Sequence, residues 1–138
     1  MAETVIVRDE GFAAEDWVSG FAPMDQVEAA NVATVDVAPG DDVAELAPHL
    51  ERIEMIRVAF PSFADGRGFT LAKRLRLMGY EGRLRAQGHV IADQYAMARR
   101  AGFDEVEIDA DLAARQPEDQ WAFRADWQAG DYQARLRG

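Results

Sequence analysis

The sequence predicts an α/β fold, a single domain built on a mainly parallel four- to five-stranded sheet with flanking helices, and three observations predict it. Between Asn31 and Asp109, β-branched or apolar runs alternate with segments whose apolar residues recur every three to four positions. The intervening segments are long enough to cross between parallel strands, and such crossovers are right-handed. No repeat, low-complexity stretch or long linker interrupts the 138 residues. A strand-and-helix core over 31–109 and a C-terminal helix and tail over 110–138 therefore read as one unit.

Taken in order, Thr4–Arg8 is a β-branched strand, placed at an edge by its shortness. Asp9–Gly20 is a loop with Trp17 as a core anchor, and Phe21–Asn31 carries no readable pattern. Asn31–Val37 is a strand closed by the Pro39-Gly40 turn. Asp41 and Asp42 cap a helix that turns Val43, Leu46, Ala47 and Leu50 inward, with Pro48 disturbing its last turn. Ile53–Phe60 becomes continuously apolar, as a central strand does, and Pro61 stops it. The next helix buries Leu71, Ala72, Leu75 and Met78, turns Lys73, Arg74 and Arg76 outward, and ends at Gly79. Gly82–Ala86 is a short strand with Gln87-Gly88-His89 as its exit loop, and Val90–Arg100 is a helix ended by Gly102. Phe103–Asp109 alternates with period two, which predicts one solvated face. Pro117 opens a last helix with Trp121, Phe123, Arg124 and Trp127, and Tyr132 anchors the tail.

Charge and composition narrow the function classes. The chain has no cysteine, which excludes disulfides, Cys-ligated zinc or clusters and thiol catalysis for the chain alone. Its net charge of −10 opposes nucleic-acid binding, which requires a positive footprint. The absence of a long apolar run or a signal-like start predicts a cytoplasmic protein with no membrane span. Asp41, Asp42 and His49 match no metal-ligand spacing. One stretch reverses the overall sign: from Asp65 to Gly102, eight lysines and arginines face three carboxylates. The reading is either a solvated helix surface or a face for an anionic ligand or acidic partner.

In a parallel sheet, ligands gather where the strands end. Those ends are Pro39-Gly40, Ser62–Arg67, Gln87–His89 and Asp109–Asp111. Gly66 and Gly68 flank Arg67 at a helix start, with Asp65 before them, a pattern that suits either an anion site or a capped tight turn. Arg85 and Gln87 point to one side of their strand, and Gly88 and His89 follow. The candidate ligand-binding set is Asp65, Gly66, Arg67, Gly68, Arg85, Gln87, Gly88, His89 and Gln94, with His89 and Asp93 as candidate proton-transfer groups.

The runs Phe60-Pro-Ser-Phe-Ala-Asp-Gly-Arg-Gly-Phe, Ala72-Lys-Arg-Leu-Arg, Gly79-Tyr-Glu-Gly-Arg-Leu-Arg-Ala86, Gly88-His-Val-Ile-Ala-Asp-Gln94 and Arg100-Ala-Gly-Phe-Asp104 resemble the bacterial family called domain of unknown function 934. The resemblance is dense from Val58 to Ile108. It departs at His89, where an acidic residue is common in the family, and at Ala101, where a cysteine is common. The family's oxidoreductase label and its association with the sulfite/nitrite reductase haemoprotein imply a role in assimilatory sulfur metabolism. With no cysteine and no dinucleotide fingerprint, redox chemistry would require a borrowed cofactor. The expectation is therefore an accessory protein that binds an anion or the reductase and holds no cofactor. The alternatives are an enzyme for a small anionic substrate and a structural homodimer.

Overall fold

The computed structural model describes residues 4–17, 20–28 and 32–124. Its strands are β1 (Thr4–Arg8), β2 (Gly11–Ala13), β3 (Ala22–Pro23), β4 (Thr34–Val37), β5 (Met55–Phe60), β6 (Arg83–Gly88) and β7 (Glu105–Asp109). Its helices are α1 (Arg67–Leu77), α2 (Tyr95–Ala101), α3 (Ala110–Arg115) and α4 (Glu118–Arg124), with 3-10 turns at Met24–Gln26, Val43–His49 and Ala92–Gln94. All seven strands form one mixed sheet in the order β2-β1-β7-β6-β5-β4-β3. The sheet therefore exceeds the expected four to five mainly parallel strands.

The difference lies at the N-terminus. From β3 to β7 every neighbouring pair is parallel, but β1 runs antiparallel between β7 and β2. The Thr4–Arg8 strand is thus interior and not an edge, because it pairs with a partner about a hundred positions away. The expected helix after Asp42 is a 3-10 helix containing Pro48, whose missing N–H cannot support an α-helical ladder there. Trp127 and Tyr132 lie outside the described residues.

The parallel strands advance across the sheet in sequence order, so right-handed crossovers place their connections on one face. That face presents Val35, Val37, Ile56, Val58, Phe60, Leu84, Ala86, Val106 and Ile108, all buried. Leu71, Ala72 and Leu75 of α1, Tyr95 and Ala98 of α2, and Trp121 pack into the same core. Glycine allows a close approach of α1 to β5, since a Cβ on Gly68 would lie 2.4 Å from the Phe60 ring. No described helix is long and apolar enough to cross a membrane.

The opposite face is charged. Strand register aligns Asp36, Arg57, Arg85 and Glu105 in one row across β4, β5, β6 and β7. Glu15, Asp16, Trp17 and Phe21, from the connection between β2 and β3, lie over this face. The expectation of a solvated face on β7 is therefore wrong: Glu105 and Glu107 are 2% and 4% exposed. Period-two alternation of charge reports a second environment, and here that environment is a layer of guanidinium groups.

Candidate functional site

The ends of β5 and β6 bring two loops together at the carboxyl edge of the sheet. Phe60 accepts a hydrogen bond through its carbonyl from the His89 backbone N–H at 2.8 Å. Gly88 makes this approach possible: it has φ +118° and a Cβ there would fall 2.6 Å from the Phe60 carbonyl oxygen. Beyond that clasp, the Phe63 and His89 rings stack with centroids 5.1 Å apart. Gln94 fixes the pairing, since its Nε2 donates to the Phe63 carbonyl at 3.0 Å while its Oε1 accepts from the Ile91 N–H.

Asp65 and Arg67 stand beside this stack at the start of α1. Nε and Nη2 of Arg67 donate to the Asp65 carboxylate at 2.9 and 2.7 Å. This hydrogen bonding outweighs solvent exclusion and lowers the Asp65 pKa below its ordinary value. The Arg67 side chain nevertheless stays 64% exposed. Gly66 occupies the N-cap with φ −86° and no side-chain cap, and a Cβ there would meet only Phe69, at 4.0 Å. Neither backbone angle nor packing requires glycine at that position. Asp65 Oδ1 accepts from the Arg67 backbone N–H at 3.2 Å, and the missing side chain at Gly66 leaves the remainder of the positive end of the 11-residue helix open to approach.

The candidate set divides between this edge and the charged face. Asp65 and Gly66 lie on the loop after β5, Arg67 opens α1, and His89 and Gln94 lie on the segment after β6, the two segments being joined through Phe63 at this edge, where Asp93 is also exposed. Gly68 and Gly88 are explained by their packing on Phe60. Arg85 belongs elsewhere, being fully buried on the charged face. Its Nε donates to Glu105 at 2.6 Å, Nη1 to Glu107 at 2.8 Å and to Glu15 at 2.6 Å, and Nη2 to Glu15 at 3.0 Å. Burial disfavours its charge, but the Glu15 hydrogen bond and the neighbouring carboxylates prevail and raise its pKa. Gln87 lies on the same face and lines a cavity of about 430 Å³ with Met24, Asp25, Asp36, Asp41 and Ala59.

Most of the positive stretch is likewise occupied within the fold. Arg76, expected on an outer face, turns back to the carbonyls of Gly102, Tyr80 and Gly82. Arg83 pairs with Asp16 and Glu105, and Arg99 pairs with Asp9. The sequence reading missed Glu15, Asp16, Asp36, Arg57, Glu105 and Glu107 as one network. A usable signal was present: Arg83 and Arg85 on one strand face Glu105 and Glu107 on the next at the same period of two. Among the described residues, no group of three or more His, Asp or Glu side chains is arranged to hold a metal ion.

The fold and site together describe an α/β protein with one helix-covered and one charged sheet face. The chain belongs to the family described as bacterial protein of unknown function (DUF934), whose match covers residues 34–137. No curated protein and no solved structure matched the chain.

Proposed function

We propose that this protein is an accessory binding protein that takes up a small oxyanion at the loop edge formed by Gly66, Arg67 and His89. The observation that carries the reading is Gly66: a glycine that neither backbone angle nor packing requires, at a helix start where Asp65 takes only the Arg67 N–H, beside an exposed arginine. Backbone N–H groups at such a position favour negative charge, and Arg67 adds a forked donor. Asp65 orients that donor and competes for it. The pathway context implied by family resemblance, assimilatory sulfur metabolism, makes sulfite, sulfate and adenylyl phosphosulfates the first ligands to try. It makes the sulfite/nitrite reductase haemoprotein the first protein partner.

The described contacts of His89 are its ring stack on Phe63 and its backbone bond to Phe60. These position the ring as a platform, so binding is preferred over proton transfer by His89 or Asp93. Isothermal titration of the full chain with each anion and with the purified reductase tests the proposal. Binding that disappears in Arg67→Ala supports it. Heat signals absent from every titration, or unchanged by Arg67→Ala, would remove its basis.

A further inference from the structure

The connection from Ala13 to Ala22 joins the two outermost strands of the sheet, β2 and β3. Six inter-strand steps of ~4.8 Å span roughly 29 Å, and nine Cα steps reach roughly 30–32 Å. The described residues of this strap meet the charged face in order: Glu15 on Arg85, Asp16 on Arg8 and Arg83, Trp17 over Arg83 and Phe21 over Arg57. Ala14, Glu15, Asp16 and Gly20 are exposed, while Trp17 and Phe21 are only half-buried. Charge, screened by salt, thus holds the strap more than core burial does. The indole N–H of Trp17 is buried without a hydrogen-bond acceptor among the described residues.

Beneath the strap, both terminal nitrogens of Arg85 grip the Glu15 carboxylate, the forked geometry a guanidinium offers to any carboxylate. Arg57, Arg83, Arg85, Glu105 and Glu107 fall inside the family match, whereas the strap lies outside it. We propose that the strap is an internal occupant of a docking groove for an acidic segment of a partner protein, two adjacent carboxylates followed by an aromatic residue. Consecutive strap residues reach Arg85, then Arg83, then stack over Arg83, a spacing that a peptide backbone sets and that a single small anion does not reproduce. The exchange replaces carboxylate with carboxylate, so Arg85 keeps its charge balance with Glu105 and Glu107. Tethering gives the strap a high effective concentration, which closes the groove to weak competitors.

A fluorescein-labelled synthetic peptide of residues 13–22, titrated by anisotropy into the full chain, tests this. Two variants open the groove: Glu15→Gln with Asp16→Asn, and a four-residue Gly/Ser insertion after Ala14 that leaves every charge in place. Binding to the charge variant is expected to be at least about tenfold tighter than to the wild type, and to the insertion variant about two- to threefold tighter, since effective concentration falls only slowly with tether length; both are expected to weaken about tenfold in high salt. Arg83→Gln in the insertion variant is expected to abolish the gain. If the first variant fails to fold, the insertion variant carries the test. Equal binding to wild type and insertion variant, no binding to either, or indifference to salt would overturn the proposal. So would succinate competing as well as the peptide, which assigns the groove to small dicarboxylates. A wild-type dimer dissolved by the peptide would assign it to a second copy and equally overturn it.

Discussion

The two faces of this sheet share strands and differ in what holds their covers on. On one face Val58, Ala86 and Val106 meet α1 and α2 through apolar contact. On the other, Arg57, Arg85 and Glu105 lie under a strap tied down by carboxylates and by rings over guanidinium groups. Apolar burial is non-directional and is not screened by salt. A charge layer is cooperative and directional, and it fails badly when one member is removed while its neighbours stay buried. One cover should therefore be permanent and the other conditional, although both rest on the same backbone.

The largest break expected comes from Arg85→Ala. The guanidinium is fully buried, and its loss leaves Glu105 and Glu107 buried with fewer partners. Removal of one side of such an arrangement costs roughly 3–5 kcal/mol, read as a fall in the urea midpoint. Next is Leu75→Ala, a fully buried side chain on the inner face of α1, for which about 2–5 kcal/mol is expected. The comparison predicts that high salt moderates neither loss but weakens strap docking. Gly68→Ala is smaller, since the added methyl presses on the Phe60 ring and overpacking of this kind costs about 1–3 kcal/mol. A Gly68→Ala chain with an unchanged thermal midpoint would show that α1 can move off β5.

How much of this was legible depended on the range of the interaction. The α1 stripe of Leu71, Ala72 and Leu75 and the continuous run of β5 are local patterns, and both elements appeared where periodicity put them. The shared edge of the Ser62–Arg67 and Gln87–His89 segments also followed from strand order alone. The strap did not follow, because its role depends on which strands are outermost, and that is set by the pairing of β1 with β7. Arg85 was read as a ligand group for a related reason. A strand arginine looks the same in sequence whether it faces solvent or four carboxylates, and Glu15 stands seventy residues away. Of the residues read as one candidate anion site, the structure puts Asp65, Gly66, Arg67 and His89 at the sheet's edge and Arg85 on its charged face.

The gentlest way to separate the two faces is acid. Burial alone would raise the Glu15 pKa, but the Arg85 hydrogen bond and the Trp17 backbone N–H outweigh it and lower it below the ordinary 4.5. The Arg83 hydrogen bond leads in lowering Asp16 below 3.8. Docked carboxylates with depressed values bind fewer protons than released ones, so docking gains nothing further above the ordinary values and is lost as pH falls through the docked values. The helix-covered face carries a carboxylate of its own at its rim, Asp9, which pairs with Arg99 and accepts from the Tyr95 hydroxyl, but the strand rows beneath the helices are apolar. Trp121, whose indole donates to the Gln116 carbonyl at 2.8 Å and whose ring packs on Tyr95, reports on that face. In an acid titration followed by NMR, with Trp17→Phe assigning its signal, the Trp17 indole resonance is expected to shift below about pH 4.5 while the Trp121 resonance holds. If both resonances moved together, the strap and the helices would belong to one cooperative unit, and the contrast between permanent and conditional covers would fail.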